Sequence, residues 1–532
     1  MKSVAHSSGV VGLAVIGSRV FGLVREVVFA AMFGATAFLD AFLAAFQIPN
    51  LMRDLFAEGA LSTAFTTTFV KTWEKGGEKP AWALANLLFS TMLLVMGAVC
   101  IAGIFLSAPI VQVTNFGFHN VPGKFELTVQ LTRILFPFIL FVSLAAVVMG
   151  ILNARFIFGL PASASTVFNI VSVVLGVTLA YVFDPQANWR HPHFTSKALY
   201  GVSAGVLIGG MAQLAIQLPS LWKLGFRFGW HVDFNDAGLR QVWRLMWPSV
   251  IAASAVQVNV LVNGMFASQI DGARSYLNCA FRLMQLPIGM FGVAIATATL
   301  PAVSRLHARD DLAAFGKTVE ESLRLTLFLV LPAAAGLFAL APEIIGTIYQ
   351  HGHFLAVHTE KTALALRAYS IGLASYAVIK VVVPCFYALD KPRTPLMVSL
   401  LGISVNVASN FALVNLLGMG HVGVALSTAV LATVNSLQLL FYLRREIRLG
   451  VALTWLDFSV KIGVSTLFSA CFAFYAAHFA AGLAAGFPGR LLSLAAGLVA
   501  GAGSYLVLTV LFKIPETTLL TKVIKRERPV SQ

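Results

Sequence analysis

This 532-residue chain has few charged residues. Only 11% of its residues are Asp, Glu, Lys or Arg, whereas a soluble chain carries about 25%. Hydrophobic residues make up 58%, and the mean hydropathy is +0.84. These values exclude a soluble globular protein. The apolar runs reach the about 20 residues that a helix needs to cross a membrane, so the sequence predicts an all-α polytopic membrane protein.

Cysteine pairs and catalytic signatures are also missing. The chain has no Walker-type loop, no HExxH motif and no convincing set of nucleophile and base. His351 and His353 share one outer loop, where we interpret them as solvated residues. No CxxC pair occurs, and we expect small buried hydrophobic side chains at the four cysteines, Cys100, Cys279, Cys385 and Cys471. We therefore expect neither an enzyme nor a cofactor.

Long polar insertions are absent as well. Hydropathy predicts about fourteen membrane helices, and we interpret the first as retained rather than as a cleaved signal peptide. Because no soluble domain interrupts them, a ligand site is expected between helices. The approximate cores are residues 9–34, 38–70, 82–113, 128–153, 157–183, 199–222, 239–269, 274–304, 322–349, 362–388, 395–417, 421–443, 455–482 and 490–513.

The net charge of +15 reflects membrane topology rather than nucleic-acid binding. With a cytoplasmic N-terminus, the inner loops collect most lysines and arginines, and the outer loops keep few, such as Lys124, Arg190, Lys197 and Lys361. This positive-inside pattern predicts that both termini are cytoplasmic. The basic tail is a candidate for contact with anionic lipid; it carries Lys522, Lys525, Arg526 and Arg528.

A loose internal repeat indicates two halves. The segments Asp40–Phe69 and Asn278–Leu306 both carry Ala-Phe, an Arg, a Pro, and a Gly before a run of small residues. We therefore predict a six-helix lobe over 1–225, a second over 238–450, and an added helix pair with a basic tail over 451–532. Chance resemblance of two helices rich in small residues is the alternative.

Arginines inside the first apolar segments are the most informative feature. Arg19, Arg25 and Arg53 would cost about 8–10 kcal/mol together if they faced lipid. At 100° per residue, Arg19 shares one stripe of the first helix with Glu26, and Arg25 flanks it. This polar stripe is expected in a cavity wall; an interhelical ion pair that holds the bundle together is the alternative.

The second helix adds acids and helix-bending residues. Asp40 lies near its outer end, and the like charges of Asp54 and Glu58 require a cationic neighbour, for which Arg53 or a loop lysine is available. Pro49 and Gly59 can bend or thin the helix and make room for a cavity. For Glu58 a structural role is as well supported as a role in transport.

The second half supplies further cations, and if the two halves pack face to face, Arg282 can meet the arginines of the first half across a central cavity. Arg282 is followed by Gln285 and Pro287 in the eighth predicted helix, and Lys380 stands in an apolar run. Arginine forks pair with phosphate oxygens, so several arginines around one cavity favour a multiply charged anion such as a pyrophosphate.

Polar residues of the late helices are secondary candidates for a small cation. Asn406, Asn410 and Thr428 either coordinate a monovalent cation or only bond between helices. Cation coupling is therefore open, and no other metal site is predicted.

Four stretches carry a family resemblance. GSRVFGLVREVVFAAMFG (Gly17–Gly34) and IPNLMRDLFAEGALSTAF (Ile48–Phe65) resemble the N-terminal signature of the bacterial lipid II flippases of the MviN/MurJ family. FRLMQLPIGMFGVAIATATLP (Phe281–Pro301) and KVVVPCFYALDKPRTP (Lys380–Pro395) resemble later motifs of that family. The family belongs to the multidrug/oligosaccharidyl-lipid/polysaccharide (MOP) exporter superfamily.

The resemblance implies fold and function. It implies two six-helix lobes in a V with two C-terminal helices, in the bacterial cytoplasmic membrane, and translocation of lipid II for cell-wall synthesis by alternating access. The site residues carried over by motif are Arg19, Arg25, Arg53, Arg282 and Asp40. The added helices would line a groove for the polyprenyl tail, and contacts with the cell-wall synthesis machinery are expected.

Two departures from the family bear on the site. Some members have an Arg where Asp54 stands and a Glu where Gln285 stands. Some have acids in a sodium site of the eleventh helix, where this chain has Asn406 and Asn410, so sodium coupling is not expected here.

Three other functions are alternatives to a lipid II flippase. A cation-coupled drug exporter of the same superfamily usually has about twelve helices and an acid-lined cavity, against which the arginines argue. A membrane enzyme acting on a polyprenyl lipid needs a large outer loop or a catalytic acid. A scaffold that binds lipid II without moving it is compatible with the sequence.

Overall fold

The structure, a computed structural model, describes residues 2–56, 60–187, 194–447 and 452–518. In these ranges the chain is almost entirely helical and contains no strand. Glu58, Gly59, Arg190 and the basic residues of the tail lie outside them. The helices are α1 (Lys2–Phe33), α2 (Ala37–Phe56), α3 (Ala60–Gly76), α4 (Glu78–Phe105), α5 (Ser107–Thr114), α6 (Lys124–Leu135), α7 (Phe138–Ala154), α8 (Gly159–Phe183), α9 (Ala198–Ala215), α10 (Leu218–Lys223), α11 (Ala237–Ala267), α12 (Ala273–Pro287), α13 (Val293–His307), α14 (Leu312–Ala339), α15 (Ala341–Ile348), α16 (Ala356–Ala388), α17 (Arg393–Asn410), α18 (Gly420–Glu446), α19 (Ala452–Ala481) and α20 (Gly486–Leu511).

The predicted all-α membrane fold is confirmed, but the count of fourteen spans is not. Within the described residues, 11 helices are long and apolar enough to cross a membrane, or 12 if α11, bent by 43°, is counted as one span. Pro248 lies one turn before this bend, and a proline removes a helix hydrogen bond.

Several predicted single helices are interrupted. The segment 38–70 is divided between α2 and α3, whereas Pro49 lies inside α2 without ending it. The segment 128–153 breaks between α6 and α7 beside Pro137, which has no N–H to donate. The segment 322–349 breaks at Leu340, and α15 then begins with a proline in its first turn.

The chain divides into two compact units, Met1–Ser275 and Tyr276–Gln532. The predicted division at 225, 238 and 451 stays a prediction. In the first unit, α8 and α9 pack most closely because glycines remove side chains from their interface. A Cβ on Gly205 would lie 2.3 Å from the backbone nitrogen of Gly176, and one on Gly201 would lie 2.4 Å from the carbonyl oxygen of Leu179.

The second unit is built around α16, which packs against α13, α14 and α18. Val303, Phe315, Val381 and Cys385 belong to its core. The pair α19–α20 packs on α14, where the Tyr505 hydroxyl donates a 2.6 Å hydrogen bond to the carbonyl of Phe328.

The cysteines follow the prediction with one exception. Cys100, Cys279 and Cys385 are buried small side chains, whereas Cys471 is exposed on α19. The prediction for Cys471 is wrong because an apolar segment of a membrane protein has an outward face as well as a packed one.

Candidate functional site: an arginine-bearing helix and a buried ionic cluster

Arg19 and Arg25 lie on α1, which packs along its length against α8. Gly17 and Gly22 leave room for side chains of α8, and the Asn169 amide donates to the carbonyl of Ser18 at 3.2 Å. These contacts hold a backbone face of α1 against α8, while Arg19 is exposed. The fixed helix therefore presents the Arg19 guanidinium outward.

Arg25 is held by aromatic rings. Its guanidinium carbon lies 5.1 Å from the ring centre of Phe168 on α8 and 5.8 Å from that of Phe46 on α2. Such cation–π contacts orient a guanidinium and leave its charge in place. Glu26, the next residue, is half-buried.

Arg53 pairs with its own neighbour. Its Nη2 donates to Asp54 Oδ1 at 2.9 Å and its Nε donates to the same oxygen at 3.3 Å, with both side chains partly exposed. The Nε2 of Gln257 on α11 donates to Asp54 Oδ2 at 3.3 Å. Arg53 is therefore the cationic neighbour that Asp54 requires.

Asp40 lies in a buried ionic cluster. Its Oδ2 accepts hydrogen bonds from the Lys124 ammonium and the Gly272 N–H, each at 2.9 Å. Its Oδ1 accepts from the Ser275 N–H at 2.9 Å and from the Ser275 hydroxyl at 2.7 Å. Four donors occupy this carboxylate, and they tie α2 to α6 and to the start of α12.

Two further groups complete the cluster. Lys124 also donates to Asp271 at 2.8 Å and lies 4.4 Å from the ring centre of Phe118. Arg274 donates to Gln47 at 2.5 Å and to the carbonyl of Thr114 at 3.2 Å. The carboxylates of Asp40 and Asp271 and the cations of Lys124 and Arg274 compensate each other within the first unit, as buried charges require.

These partners are not predicted by the sequence pattern. It places Lys124 in an outer loop and singles out neither Arg274 nor Asp271. The sequence does contain a signal for the pair of Asp40 and Lys124. An intramembrane acid such as Asp40 requires a cation at its own depth, and Lys124 is predicted at the same outer end of the membrane helices.

The second unit carries Arg282, Gln285 and Lys380. Arg282 is half-buried on α12, and Gln285 is exposed one turn further on. Pro287 ends α12, and a π-helical turn, Ile288–Gly292, leads into α13. Lys380 is exposed on α16, with its Cβ 3.8 Å from the position that a Cβ on Gly292 would take. The predicted convergence of Arg282 with the arginines of the first half stays a prediction.

The cation candidates of the late helices bond within their own helices. The Asn410 amide donates to the Asn406 side chain at 2.8 Å and to its carbonyl at 3.0 Å, and the Thr428 hydroxyl donates to the carbonyl of Val424 at 3.0 Å. The described part of the chain contains no cluster of three His, Cys, Asp or Glu side chains suited to a metal ion.

Comparisons with known proteins agree with this picture. The family model for lipid II flippase MurJ matches residues 29–495. A protein of Burkholderia cenocepacia called lipid II flippase MurJ is 33% identical over 450 residues, which cover 84% of each chain.

Solved structures show the fold. One of a lipid II flippase MurJ in an inward closed conformation aligns with a TM-score of 0.76 and 24% identity, covering 94% of this chain and 98% of the other. An inward-facing multidrug resistance MATE transporter of the MOP superfamily aligns with a TM-score of 0.67 and 13% identity, covering 81% and 94%. The protein is thus a multi-pass membrane protein with a MOP-superfamily fold, and by the extent of the family match the chain belongs to the lipid II flippase MurJ family.

Proposed function

We propose that this protein moves lipid II from the inner to the outer leaflet of the bacterial cytoplasmic membrane by alternating access, without covalent chemistry. The family match over residues 29–495 carries the proposal. The reaction is a change of leaflet, so the protein has to bind, enclose and release an anionic headgroup rather than break a bond.

In this proposal Arg19, Arg25 and Arg282 bind the pyrophosphate. Arg19 is exposed on α1, which is held by its packing against α8, and Arg25 lies against Phe46 and Phe168. An aromatic cradle supports this role because it orients a guanidinium toward an anion at little entropic cost.

Arg53 and Asp40 have different proposed roles. The contact with Asp54 occupies Nε and Nη2 of Arg53, so Asp54 competes with the substrate for this guanidinium. Asp40 is occupied by four donors, and we assign it to positioning α2 and the start of α12 rather than to contact with the headgroup.

The finer points of the proposal follow from the sequence. Both termini are placed in the cytoplasm by the positive-inside pattern, and α19 and α20 line the path of the polyprenyl tail. Gln285 and Lys380 contact the headgroup. Monovalent-cation coupling through Asn406, Asn410 and Thr428, and contacts with the cell-wall synthesis machinery, stay predictions.

The test is headgroup translocation in proteoliposomes. Purified protein is reconstituted with fluorescent lipid II, and the fraction of headgroup accessible to an external quencher is followed over time. Arg19→Ala, Arg25→Ala and Arg282→Ala are expected to lower the rate while the protein still folds and inserts.

Arg133→Ala is the matched control, because Arg133 is an exposed arginine of α6 outside the proposed site. It is expected to leave the rate unchanged. Wild-type rates in all three site variants contradict the arginine assignment, and binding of lipid II without translocation by the wild type identifies a scaffold.

A further inference from the structure

An exposed ion pair lies near one end of a membrane span of the second unit. On α19, the Lys461 ammonium contacts Asp457 Oδ2 at 2.7 Å, and the two side chains remain 37% and 63% exposed. Both residues lie near one end of the span Thr454–Ala481. Charged side chains near the end of a span reach the headgroup level of the membrane.

A second lysine, Lys513, follows the C-terminal end of α20. Ser469 donates to the carbonyl of Gly501, and Ser493 donates to that of Ala477, each at 2.7 Å. These pairs define an antiparallel register between the two helices. Continued toward the other end, the register places Lys513 level with Asp457, and Lys513 is exposed.

Lys513 occupies a position that favours glycine. Its φ is +51°, its N–H donates to the carbonyl of Val510, and the N–H of Ile514 donates to that of Thr509, both at 3.0 Å. This is a Schellman end, whose left-handed residue is usually Gly. A lysine in this strained conformation supplies an ammonium group at the helix end, and strain of this kind is concentrated at functional sites.

Buried apolar residues hold the helix ends that carry these charged groups. Phe458 and Ile462 alternate with Asp457 and Lys461 along α19 and are buried with Ile514 in one apolar cluster. Just beyond, Arg324 donates to Glu516 at 2.7 Å. The ends of α19 and α20 are thus fixed by packing, as a preformed site requires.

We propose that Asp457, Lys461 and Lys513 bind the headgroup of a phosphatidylethanolamine molecule at the membrane surface. The two ammonium groups bind the phosphate, and the carboxylate accepts hydrogen bonds from the primary ammonium of the lipid. A choline headgroup has no N–H to donate, and a glycerol headgroup has no cation for Asp457. This lipid is a bound partner, distinct from the transported substrate of the proposed function.

The test is lipid retention by the delipidated full-length protein in native mass spectrometry. Phosphatidylethanolamine, phosphatidylcholine and phosphatidylglycerol with identical acyl chains are added singly. The wild type is expected to retain the ethanolamine lipid about tenfold better than the choline lipid, the factor that a charge-assisted hydrogen bond supplies. Free phosphoethanolamine is the second probe; retention equal to that of the lipid overturns the assignment to a membrane lipid.

Variants separate the roles of the three groups. Asp457→Asn is expected to abolish the preference for ethanolamine over choline, and Lys461→Gln to weaken retention of both. Lys513→Gly relieves the backbone strain, so it is expected to keep or raise the unfolding temperature while lipid retention falls. Lys317→Gln, an exposed lysine near the start of α14, is the control and leaves retention unchanged. A preference that survives Asp457→Asn, or full retention in Lys513→Gly, overturns the proposal.

Discussion

The Lys124 ammonium lies 2.9 Å from the carboxylate of Asp40, and both side chains are almost fully buried. Removing one partner of a buried pair leaves an uncompensated charge, so Lys124→Met is expected to lower the free energy of unfolding by about 3–5 kcal/mol. The measurement is the midpoint of unfolding at increasing SDS fraction. Lys391→Met, which breaks a partly exposed pair with Glu446, is the control with a loss of at most about 1 kcal/mol. Equal losses in the two variants contradict the prediction.

The close packing of α8 and α9 predicts a sharp response to one methyl group. In Gly205→Ala the new Cβ meets the backbone nitrogen of Gly176 at 2.3 Å, so the helices have to separate. A loss of about 1–3 kcal/mol in the free energy of unfolding is expected. Gly503→Ala on α20, where a Cβ meets open space, is expected to be neutral or to gain up to about 1 kcal/mol. The prediction fails if Gly205→Ala unfolds at the wild-type midpoint.

Asp54 is expected to weaken substrate binding through its contact with Arg53. In Asp54→Asn the guanidinium loses an ionic partner, so affinity for a fluorescent polyprenyl pyrophosphate should rise, by up to about fivefold for a partly exposed pair. Equilibrium titration measures the change. Gln257→Ala leaves the Arg53–Asp54 pair intact and serves as the control. A lower affinity in Asp54→Asn would mean that the acid itself supports binding.

The rings beside Arg25 predict a loss of transport without loss of fold. Phe168→Leu removes a π face and keeps an apolar side chain, so the translocation rate should fall by a factor between about two and thirty, the range of a cation–π contact. Phe168→Trp keeps the π face and should retain activity. Phe21→Leu, at an exposed ring of α1, controls for loss of apolar surface. A Trp variant as slow as the Leu variant would assign Phe168 to packing alone.

The fold was largely predictable because hydropathy along the chain records burial in lipid directly. The apolar runs indicated the membrane class and most helices. Their interruptions were harder to predict: Pro137 marks a break between α6 and α7, yet Pro49 stays inside α2. A proline removes one hydrogen bond in either case, and the packing around it decides whether the helix continues.

The site was predictable in residue type but only partly in arrangement. The sequence by itself determined that Arg19, Arg25 and Arg53 are intramembrane charges that require a polar partner or aqueous surroundings. A charge in hydrocarbon is costly wherever the chain places it. Only the tertiary structure decided their partners: aromatic rings for Arg25, a neighbouring acid for Arg53, and for Asp40 a lysine 84 residues away. Charge is a property of one residue, whereas its compensation depends on which helices pack together.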